Sequence, residues 1–275
     1  MYLFFRLSSW IRRSVFFKAY YRAFYSNTIA FGEGIKSEDV ETIRNGRDLV
    51  LKIKGTTDQI TIKEYYYYTD ETWKIENIAF SDGTIWDRII IDSQIQTIRG
   101  GDGNDTIYGY NSISNLNEVF YAGAGNDTVY ARSGNDTIYG GTGNDLIEGG
   151  NGDDKYIFNL GDGQDTIDDY LGNDTIAVET EASNLKFSRN GQDLLISIIG
   201  TTDSVQINNW YNNSNYKVET FASSDGYTLS HTKVEQMIQS MAAFETSSGM
   251  SWADAIQNKN DEIDNITSQI WVKQA

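Results

Sequence analysis

Bulky apolar residues recur through the middle of the chain, most of them nine positions apart, with polar or turn-forming residues beside them. They stand at the eighth place of successive nine-residue rows, at Ile107, Val129, Ile138, Ile147, Tyr156, Ile167 and Ile176. Because alternate residues of a strand face the same side, each polar-apolar-polar triplet directs one side chain inward. The pattern predicts short strands with a thin core that only stacking of the rows can bury.

The rows share glycine at the first, second and fourth places and aspartate at the sixth. Five of them read GGDGNDTIY at 100–108, AGAGNDTVY at 122–130, ARSGNDTIY at 131–139, GGTGNDLIE at 140–148 and GGNGDDKYI at 149–157. Two less regular rows follow, LGDGQDTID at 160–168 and DYLGNDTIA at 169–177. Glycine reaches positive φ without a Cβ penalty, so the first half of each row predicts a tight turn. Hairpin turns between short strands are the alternative, but they give no reason for a nine-residue step.

The turn half of each row presents oxygen donors. Backbone carbonyls and one carboxylate in a flexible glycine loop suit calcium rather than zinc or copper. If two rows make one coil, every second row lies on the same side of the coil. This arrangement predicts Asp127 above Asp145 and Asp136 above Asp154, with a calcium ion shared between the members of each pair.

The rows resemble the calcium-binding nonapeptide G-G-x-G-x-D-x-U-x of RTX (repeats in toxin) proteins, in which U is a bulky apolar residue. The resemblance implies a parallel β-roll that binds about three to five Ca²⁺ ions through glycine carbonyls and the aspartates at place six. The implied metal ligands are Gly101, Gly103, Asp105, Gly123, Gly125, Asp127, Gly134, Asp136, Gly141, Gly143, Asp145, Gly150, Gly152, Asp154, Gly161, Gly163, Asp165 and Asp174.

Two departures from the repeat bear on these ligands. Arg132 replaces the glycine of place two, which still offers a carbonyl but predicts a strained turn. Residues 109–121, GYNSISNLNEVFY, interrupt the rows. Aligning Leu116 with the eighth place puts Ser114 where aspartate belongs, so we expect one calcium site there to be lost or bulged.

A longer duplication brackets the rows. The segment RNGRDLVLKIKGTTDQITI at 44–62 matches RNGQDLLISIIGTTDSVQI at 189–207, and turns at 81–84 and 224–227 end the two copies. Alternating apolar residues on both sides of Gly-Thr-Thr-Asp predict two strands joined by a turn. Both copies resemble the haemolysin-type calcium-binding related domain that accompanies RTX repeats.

Two interpretations of the duplicated modules follow. We expect them to be hairpins that extend or cap the roll and cover its thin core. The alternative is sugar binding by their aromatic residues at 65–68 and 210–211, where Tyr65 and Trp210 hold corresponding places.

Charge supplies a reason for calcium dependence. Residues 100–180 contain 12 Asp, 3 Glu and two basic residues, Arg132 and Lys155, within a chain of net charge −17. Carboxylates packed together without counterions repel one another, so we expect this segment to be disordered without calcium and to fold when calcium binds. The acidity also speaks against nucleic acid as a partner.

The ends of the chain differ from its middle. Residues 1–25 are aromatic and basic, without an acidic residue, and predict a loosely attached extension or, as the alternative, a membrane-surface helix of poor amphipathicity. Residues 26–33, SNTIAFGE, echo the last row at 173–180, NDTIAVET, so we expect the chain to derive from a longer repeat protein.

The C-terminal segment predicts an amphipathic helix pair. Thr232 with Glu235 has the pattern of a capping box before a first helix, and Ser251 with Asp254 opens a second. Since RTX resemblance implies export by a type I ABC transporter that reads an uncleaved C-terminal signal, we expect this pair to be the secretion signal. A plain cap on the domain is the alternative.

Catalysis finds little support in the sequence. The chain has one histidine, His231, and no cysteine. No Ser/His/Asp set or H-E-x-x-H motif can be assembled. The abundant carboxylate pairs, which would otherwise allow a glycosidase, are explained by the repeat. We therefore expect no enzyme.

These patterns predict an all-β chain with a central parallel β-roll, two flanking β-hairpin modules and a short C-terminal helical tail. The predicted domains are the extension 1–25, the first related module 26–94, the roll 95–180, the second related module 181–230 and the tail 231–275.

Three functions remain open. The first is a calcium-responsive folding and export module of a secreted toxin-like bacterial protein. The second is a calcium-stiffened adhesin or extracellular structural module. The third is the tail of an RTX exoenzyme whose catalytic domain lies outside this chain. The expected partners are calcium ions, the type I transporter and a host-cell surface or glycan, and the expected location is extracellular or on the bacterial surface.

Overall fold

The computed structural model describes residues 28–66, 75–109, 116–258 and 261–274 in full, together with the backbone of two strands within residues 1–27. The chain forms two compact units, Met1–Arg99 and Gly100–Ala275. The predicted roll, second related module and helical tail fall in the second unit, apart from the first residues of the roll. Most of the 1–25 extension, and Ser114, lie outside the described residues.

The first unit contains, in its described residues, the strands and one helix β1 (Leu3–Arg6), β2 (Val15–Lys18), β3 (Thr28–Phe31), β4 (Val40–Asn45), β5 (Asp48–Ile53), β6 (Gln59–Ile62), β7 (Asn77–Ala79), β8 (Ile85–Asp87), α1 (Arg88–Ser93) and the start of β9 (Ile95–Asp102). The predicted hairpin at 44–62 is confirmed as β5 and β6, which pair antiparallel. The strand order is β1-β6-β5-β4-β9 in one sheet and β2-β3-β7-β8 in the other.

The second unit contains, in its described residues, the end of β9 and β10 (Thr106–Tyr108), β11 (Val119–Ala124), β12 (Thr128–Ser133), β13 (Thr137–Thr142), β14 (Leu146–Asn151), β15 (Lys155–Phe158), β16 (Gln164–Ile167), β17 (Thr175–Val178), β18 (Leu185–Asn190), β19 (Asp193–Ile198), β20 (Ser204–Ile207), β21 (Thr220–Ser223), β22 (Tyr227–Ser230), α2 (Val234–Ser248), α3 (Trp252–Gln257), α4 (Asp261–Ile270) and β23 (Val272–Lys273).

The repeat rows form a parallel β-roll. Alternate rows enter opposite sheets, so that β10, β12, β14 and β16 stack in one and β11, β13, β15 and β17 in the other. Every eighth-place side chain predicted to face inward is at most 5% exposed. The small residues Ala122 and Ala131 at place one are also fully buried, which lets the two sheets approach closely. The roll is therefore held by one bulky side chain per row together with the parallel ladders.

The second related module continues the roll as further coils. β20 pairs parallel with β16, and β21 pairs parallel with β17. β19 and β18 then add antiparallel strands beyond β20. The continuation covers the end of the roll and supplies larger core residues, including Trp210, which is 2% exposed.

The two modules have matching local structures. Asp48 accepts a hydrogen bond from the backbone N–H of Glu64, and Asp193 accepts one from that of Asn209. Glu64 and Asn209 have nearly equal positive φ angles, 58° and 57°. The similarity of residues 26–33 to 173–180 also has a structural counterpart. In the first unit β3 pairs parallel with β7, and in the second unit β17 pairs parallel with β21 in the same way.

The C-terminal segment differs from the predicted helix pair. It forms three helices, because the second predicted helix is divided into α3, which ends at Gln257, and α4, which begins at Asp261. The predicted capping box at Thr232 is wrong: α2 begins at Val234 without a side-chain cap, and the carboxylate of Glu235 instead accepts a hydrogen bond from Tyr211 Oη at 2.7 Å. The predicted pair of Ser251 and Asp254 is confirmed, since the Asp254 N–H donates to Ser251 Oγ at 3.0 Å.

The tail is packed into the second unit. Apolar residues of all three helices are buried, among them Met241, Trp252 and Ile263. Lys186 on β18 forms an ion pair with Glu245 on α2, with a Nζ to Oε1 distance of 2.9 Å. The last strand, β23, pairs antiparallel with β22. None of the helices in the described parts of the chain is long and apolar enough to cross a membrane.

Candidate metal centre

The predicted stacking of aspartates is confirmed. β12 pairs with β14 in a register that sets Thr128 beside Leu146, so the preceding residues Asp127 and Asp145 lie on successive coils. The backbone N–H of Asp127 donates to Oδ1 of Asp145 at 2.8 Å. The N–H of Asp136 donates to Oδ1 of Asp154 at the same distance. Each carboxylate thus closes the turn of the coil before it.

These bonds extend into two acidic ladders, one on each edge of the roll. In the first acidic ladder each N–H donates to the next carboxylate through Asp105, Asp127, Asp145 and Asp165. In the second acidic ladder the order is Glu118, Asp136, Asp154, Asp174 and Glu219. Glu219 belongs to the second related module, so that module supplies the final acceptor of the second ladder.

Four interior carboxylates of the two ladders each have a second oxygen without a hydrogen-bond partner. Oδ2 of Asp127, Asp136, Asp145 and Asp154 is buried and unpaired. A buried polar atom without a partner is unfavourable, and a carboxylate oxygen accepts but cannot donate. A cation satisfies all of these atoms, and Ca²⁺ takes six to eight such hard oxygens. The donors present therefore fit calcium.

The predicted ligand glycines form the turns between the stacked strands. All of them have positive φ, from 92° at Gly161 to 141° at Gly143. A methyl group on Gly141 would lie 1.9 Å from the carbonyl oxygen of Gly123, and one on Gly143 would lie 1.9 Å from that of Gly125. The carbonyls of one coil thus face the Cα atoms of the next, a packing that only glycine permits.

Burial raises the pKa of the ladder carboxyls and so makes them weaker acids. The pKa rises to about 6 for Asp136 and Asp145 and to about 8 for Asp154 and Asp165. In each case desolvation raises the pKa by more than the hydrogen bond from a backbone N–H lowers it. The pKa of Asp174 is also raised, by burial first and by the nearby charge of Asp169 second. Such carboxylates ionise readily only when a cation accompanies them.

Two further ladders, one on each edge of the roll, run through place five of the rows, and neither was predicted from the sequence. The N–H of Asn144 donates to the side-chain oxygen of Asn126 at 2.9 Å, and the N–H of Gln164 donates to that of Asn144 at 3.0 Å. Asn135 and Asp153 continue the same pattern on the other edge. These bonds point in the opposite direction to those of the acidic ladders. The recurrence of asparagine before the aspartate was the available signal.

The interruption at 109–121 is aligned differently from the prediction. β11 pairs with β13 so that Phe120, not Leu116, stands beside Ile138 at the eighth place. Four residues, 109–112, are inserted before this row, and they shift the register. Leu116 therefore occupies place four, and Glu118, which is 1% exposed, occupies the acidic place six. The row keeps a carboxylate rather than losing it.

Arg132 shows the predicted backbone conformation. Its φ is 83°, which is unfavourable for a residue with a side chain. The side chain donates to the carbonyl of Gly109 at 3.2 Å and lies 5.2 Å from the ring centroid of Tyr108. These contacts offset part of the strain.

Tyr65 and Trp210, the corresponding aromatic residues considered for sugar binding, are placed in the cores, whereas Tyr66 and Tyr211 are half-buried. Tyr65 is 3% exposed and Trp210 is 2% exposed, so neither ring is available to a ligand. Residues 67–68 lie outside the described part of the chain. Burial of large apolar rings gives the thin roll and its modules much of their packing.

Two family models match this chain. The haemolysin-type calcium-binding protein related domain matches residues 48–88 and 193–233. The RTX calcium-binding nonapeptide repeat matches four times, at residues 92–112, 114–147, 121–156 and 130–164.

Known proteins resemble parts of the chain. The iron-regulated protein FrpA of Neisseria meningitidis serogroup C is 30% identical over 90 residues, which are 32% of this chain and 8% of that protein. The crystal structure of the extracellular lipase LipA from Serratia marcescens aligns with 66% of this chain and 31% of its own, at 17% identity and a TM-score of 0.32. The chain thus spans under a third of each of these two proteins.

Proposed function

The chain belongs to the RTX family of haemolysin-type calcium-binding proteins, and from this premise we propose that it is a folding and export module of a secreted toxin-like protein. In this proposal the chain crosses the bacterial envelope unfolded through a type I ABC transporter. It then folds outside the cell when calcium binds the roll. The module carries no catalytic activity of its own.

The observation that carries the proposal is the set of unpaired oxygens in the acidic ladders. Four buried Oδ2 atoms without partners, in a segment with few basic residues, oppose folding when no cation is present. Calcium removes both the repulsion and the unpaired acceptors, so its binding energy becomes folding energy.

The calcium concentrations on the two sides of the membrane suit this coupling. Extracellular calcium modules bind with dissociation constants of about 0.1–1 mM. A roll of that affinity stays unfolded in a cytoplasm poor in calcium and folds where calcium is millimolar. An unfolded chain is the form that a transporter channel accepts.

The docking of the tail supports an order of events. In the folded unit, α2 to α4 bury apolar residues and β23 is paired with β22. The folded segment is therefore not accessible to a transporter as a secretion signal. We therefore infer that the transporter reads the segment before the roll folds. Calcium-driven folding outside then withdraws it.

A titration of the whole chain tests the proposal. Far-UV circular dichroism in chelator, then with rising calcium, is expected to show a cooperative gain of β signal in the sub-millimolar to millimolar range, and magnesium is expected to give none. A spectrum that is already fully folded in chelator and indifferent to calcium would contradict it.

A second candidate function, an adhesin, has one observation in its favour. Tyrosines at place nine stack on the outer faces of the roll: the rings of Tyr108 and Tyr130 lie 5.2 Å apart, and those of Tyr121 and Tyr139 lie 4.8 Å apart. Tyr108 is 42% exposed. Calcium-dependent binding of the purified chain to host cells or glycans, lost on Tyr108→Ala with Tyr130→Ala, would favour this function.

A further inference from the structure

Asp169 departs from the repeat at place one, where the regular rows have glycine or alanine. Its carboxylate meets those of Asp154 and Asp174, which belong to the second acidic ladder. One oxygen from each of the three lies within 4.8 Å of the other two. All three residues are 2% exposed. This end of the roll thus contains one carboxylate more than the regular repeat provides.

Asp169 is held in place by its first oxygen, and its second is unpaired. Oδ1 accepts the N–H of Gly150 at 2.9 Å and the N–H of Tyr170 at 2.8 Å. Oδ2 is buried and has no hydrogen-bond partner, and the same holds for Oδ2 of Asp154. Two unpaired carboxylate oxygens from different rows are therefore present in one small cluster.

A phenol oxygen borders the same space. Tyr156 takes the eighth place, where most rows have isoleucine, and it is fully buried. A methyl group on Gly149 would lie 2.1 Å from Tyr156 Oη and 2.4 Å from Oδ2 of Asp154, so these two oxygens flank the same glycine. The cluster offers four oxygen-bearing side chains.

The segment that carries these carboxylates has few basic residues. Lys155 is the one basic residue between positions 149 and 177, and its side chain is exposed. Among the described residues, no ion pair includes any of the three carboxylates. Three buried negative charges without a partner are strongly unfavourable unless a cation joins them.

We propose that Asp169, Asp154 and Asp174, with the Tyr156 hydroxyl, form a high-affinity calcium site distinct in charge from the regular sites of the roll. Calcium affinity in oxygen sites rises with the number of charged ligands. The third carboxylate makes this site fill first as calcium rises. The inference rests on the calcium-dependent folding proposed above.

Competition titration of the whole chain against a chromophoric calcium chelator tests the site. The native chain is expected to show one calcium bound at least about tenfold more tightly than the rest. Asp169→Asn removes one charge and keeps an acceptor for Gly150, and it is expected to abolish this tight step. Asp169→Gly restores the glycine of the repeat and is expected to do the same.

Asp168→Asn is the matched control, because it removes the same charge one residue away and outside the cluster. It is expected to keep the tight step. A native chain without a tight step, a tight step that survives both Asp169 variants, or an equal loss in Asp168→Asn would overturn the inference. Circular dichroism at saturating calcium establishes that the variants fold. If the native chain folds with calcium and only this assay fails, the proposed function stands without the special site.

Discussion

The backbone N–H of Asp127 donates a hydrogen bond of 2.8 Å to Oδ1 of Asp145, eighteen residues further along the chain. The carboxylate of Asp145 therefore has two uses, because Oδ1 closes a turn and Oδ2 is buried without a protein partner. The first use needs only an acceptor, and the second needs a negative charge and a cation. Substitutions that separate acceptor from charge can distinguish the two.

Asp145→Asn is expected to change stability in opposite directions with and without calcium. The amide oxygen can still accept the Asp127 N–H, while the buried charge disappears. In chelator the variant should be more folded than the native chain, because burial disfavours the charged carboxylate. In calcium its folding midpoint should move to about tenfold higher calcium, because a charged ligand is lost. Circular dichroism titration measures both.

Asp153→Asn is the control for that experiment. Asp153 is exposed at place five, and its Oδ1 accepts the N–H of Asn173 at 3.0 Å, which asparagine can also do. The same change of charge should leave the calcium midpoint within about twofold, because exposed charges interact weakly. An equal shift in both variants would mean that overall charge, rather than the acidic ladder, sets the midpoint.

Two glycines of place two allow backbone strain to be separated from close packing. Gly141 and Gly161 have nearly the same φ, 94° and 92°. A methyl group on Gly141 meets the carbonyl oxygen of Gly123, whereas one on Gly161 meets nothing within 4 Å.

Gly161→Ala is expected to lower the free energy of unfolding in calcium by about 1 to 3 kcal/mol, through strain alone. Gly141→Ala should cost clearly more or prevent folding, because the coils must move apart. Thermal unfolding at saturating calcium measures both variants. Equal losses would show that contact between coils does not restrict place two.

The place-five ladder that contains Asn144 should contribute to stability independently of calcium. Asn144→Ala leaves the N–H of Gln164 without its acceptor, and the expected loss is about 1 kcal/mol. Asn144→Asp keeps an acceptor and should retain most of the stability in calcium. The calcium midpoint of Asn144→Ala should shift only as far as its stability does. If Asn144→Asp is as unstable as Asn144→Ala, the ladder bond is not the reason.

The nine-residue period was enough to predict the roll and the pairing within it. A period fixes which residues stack, so Asp127 above Asp145 and the inward eighth places followed without knowledge of the turns. The inserted row was not predictable in the same way. Leu116 is apolar and sits near the expected spacing, while the insertion at 109–112 has no distinctive residue to mark it. Only pairing with β13 shows that Phe120 holds the core position.

Features that depend on contacts between rows distant in sequence could not be predicted from the sequence either. Within its own row, Asp169 is simply a departure from the repeat. Its role depends on Asp154 and Asp174, which stacking of the rows places beside it. The absent cap at Thr232 has a similar cause: Glu235, the other half of the predicted box, is engaged by Tyr211 of the second related module. Local patterns could not reveal either contact.

Protons and calcium should compete for the acidic ladders. Burial raises the pKa of Asp154 and Asp165 to about 8, above the value of an unfolded chain. The folded state therefore binds protons more tightly than the unfolded state, and in chelator its stability falls as pH rises from about 4 to about 8. We expect more β signal in chelator at about pH 5.5 than at about pH 8.5. Calcium affinity should change in the opposite sense, rising with pH, because calcium must displace those protons.

Circular dichroism and calcium titration at both pH values measure the two trends. Asp154→Asn should reduce the pH dependence in chelator by removing one of these groups, whereas Asp153→Asn should change it much less, because the charge of Asp153 is a minor cause of the raised pKa of Asp154. A chelated chain that gains structure with rising pH would contradict the buried state of the ladders.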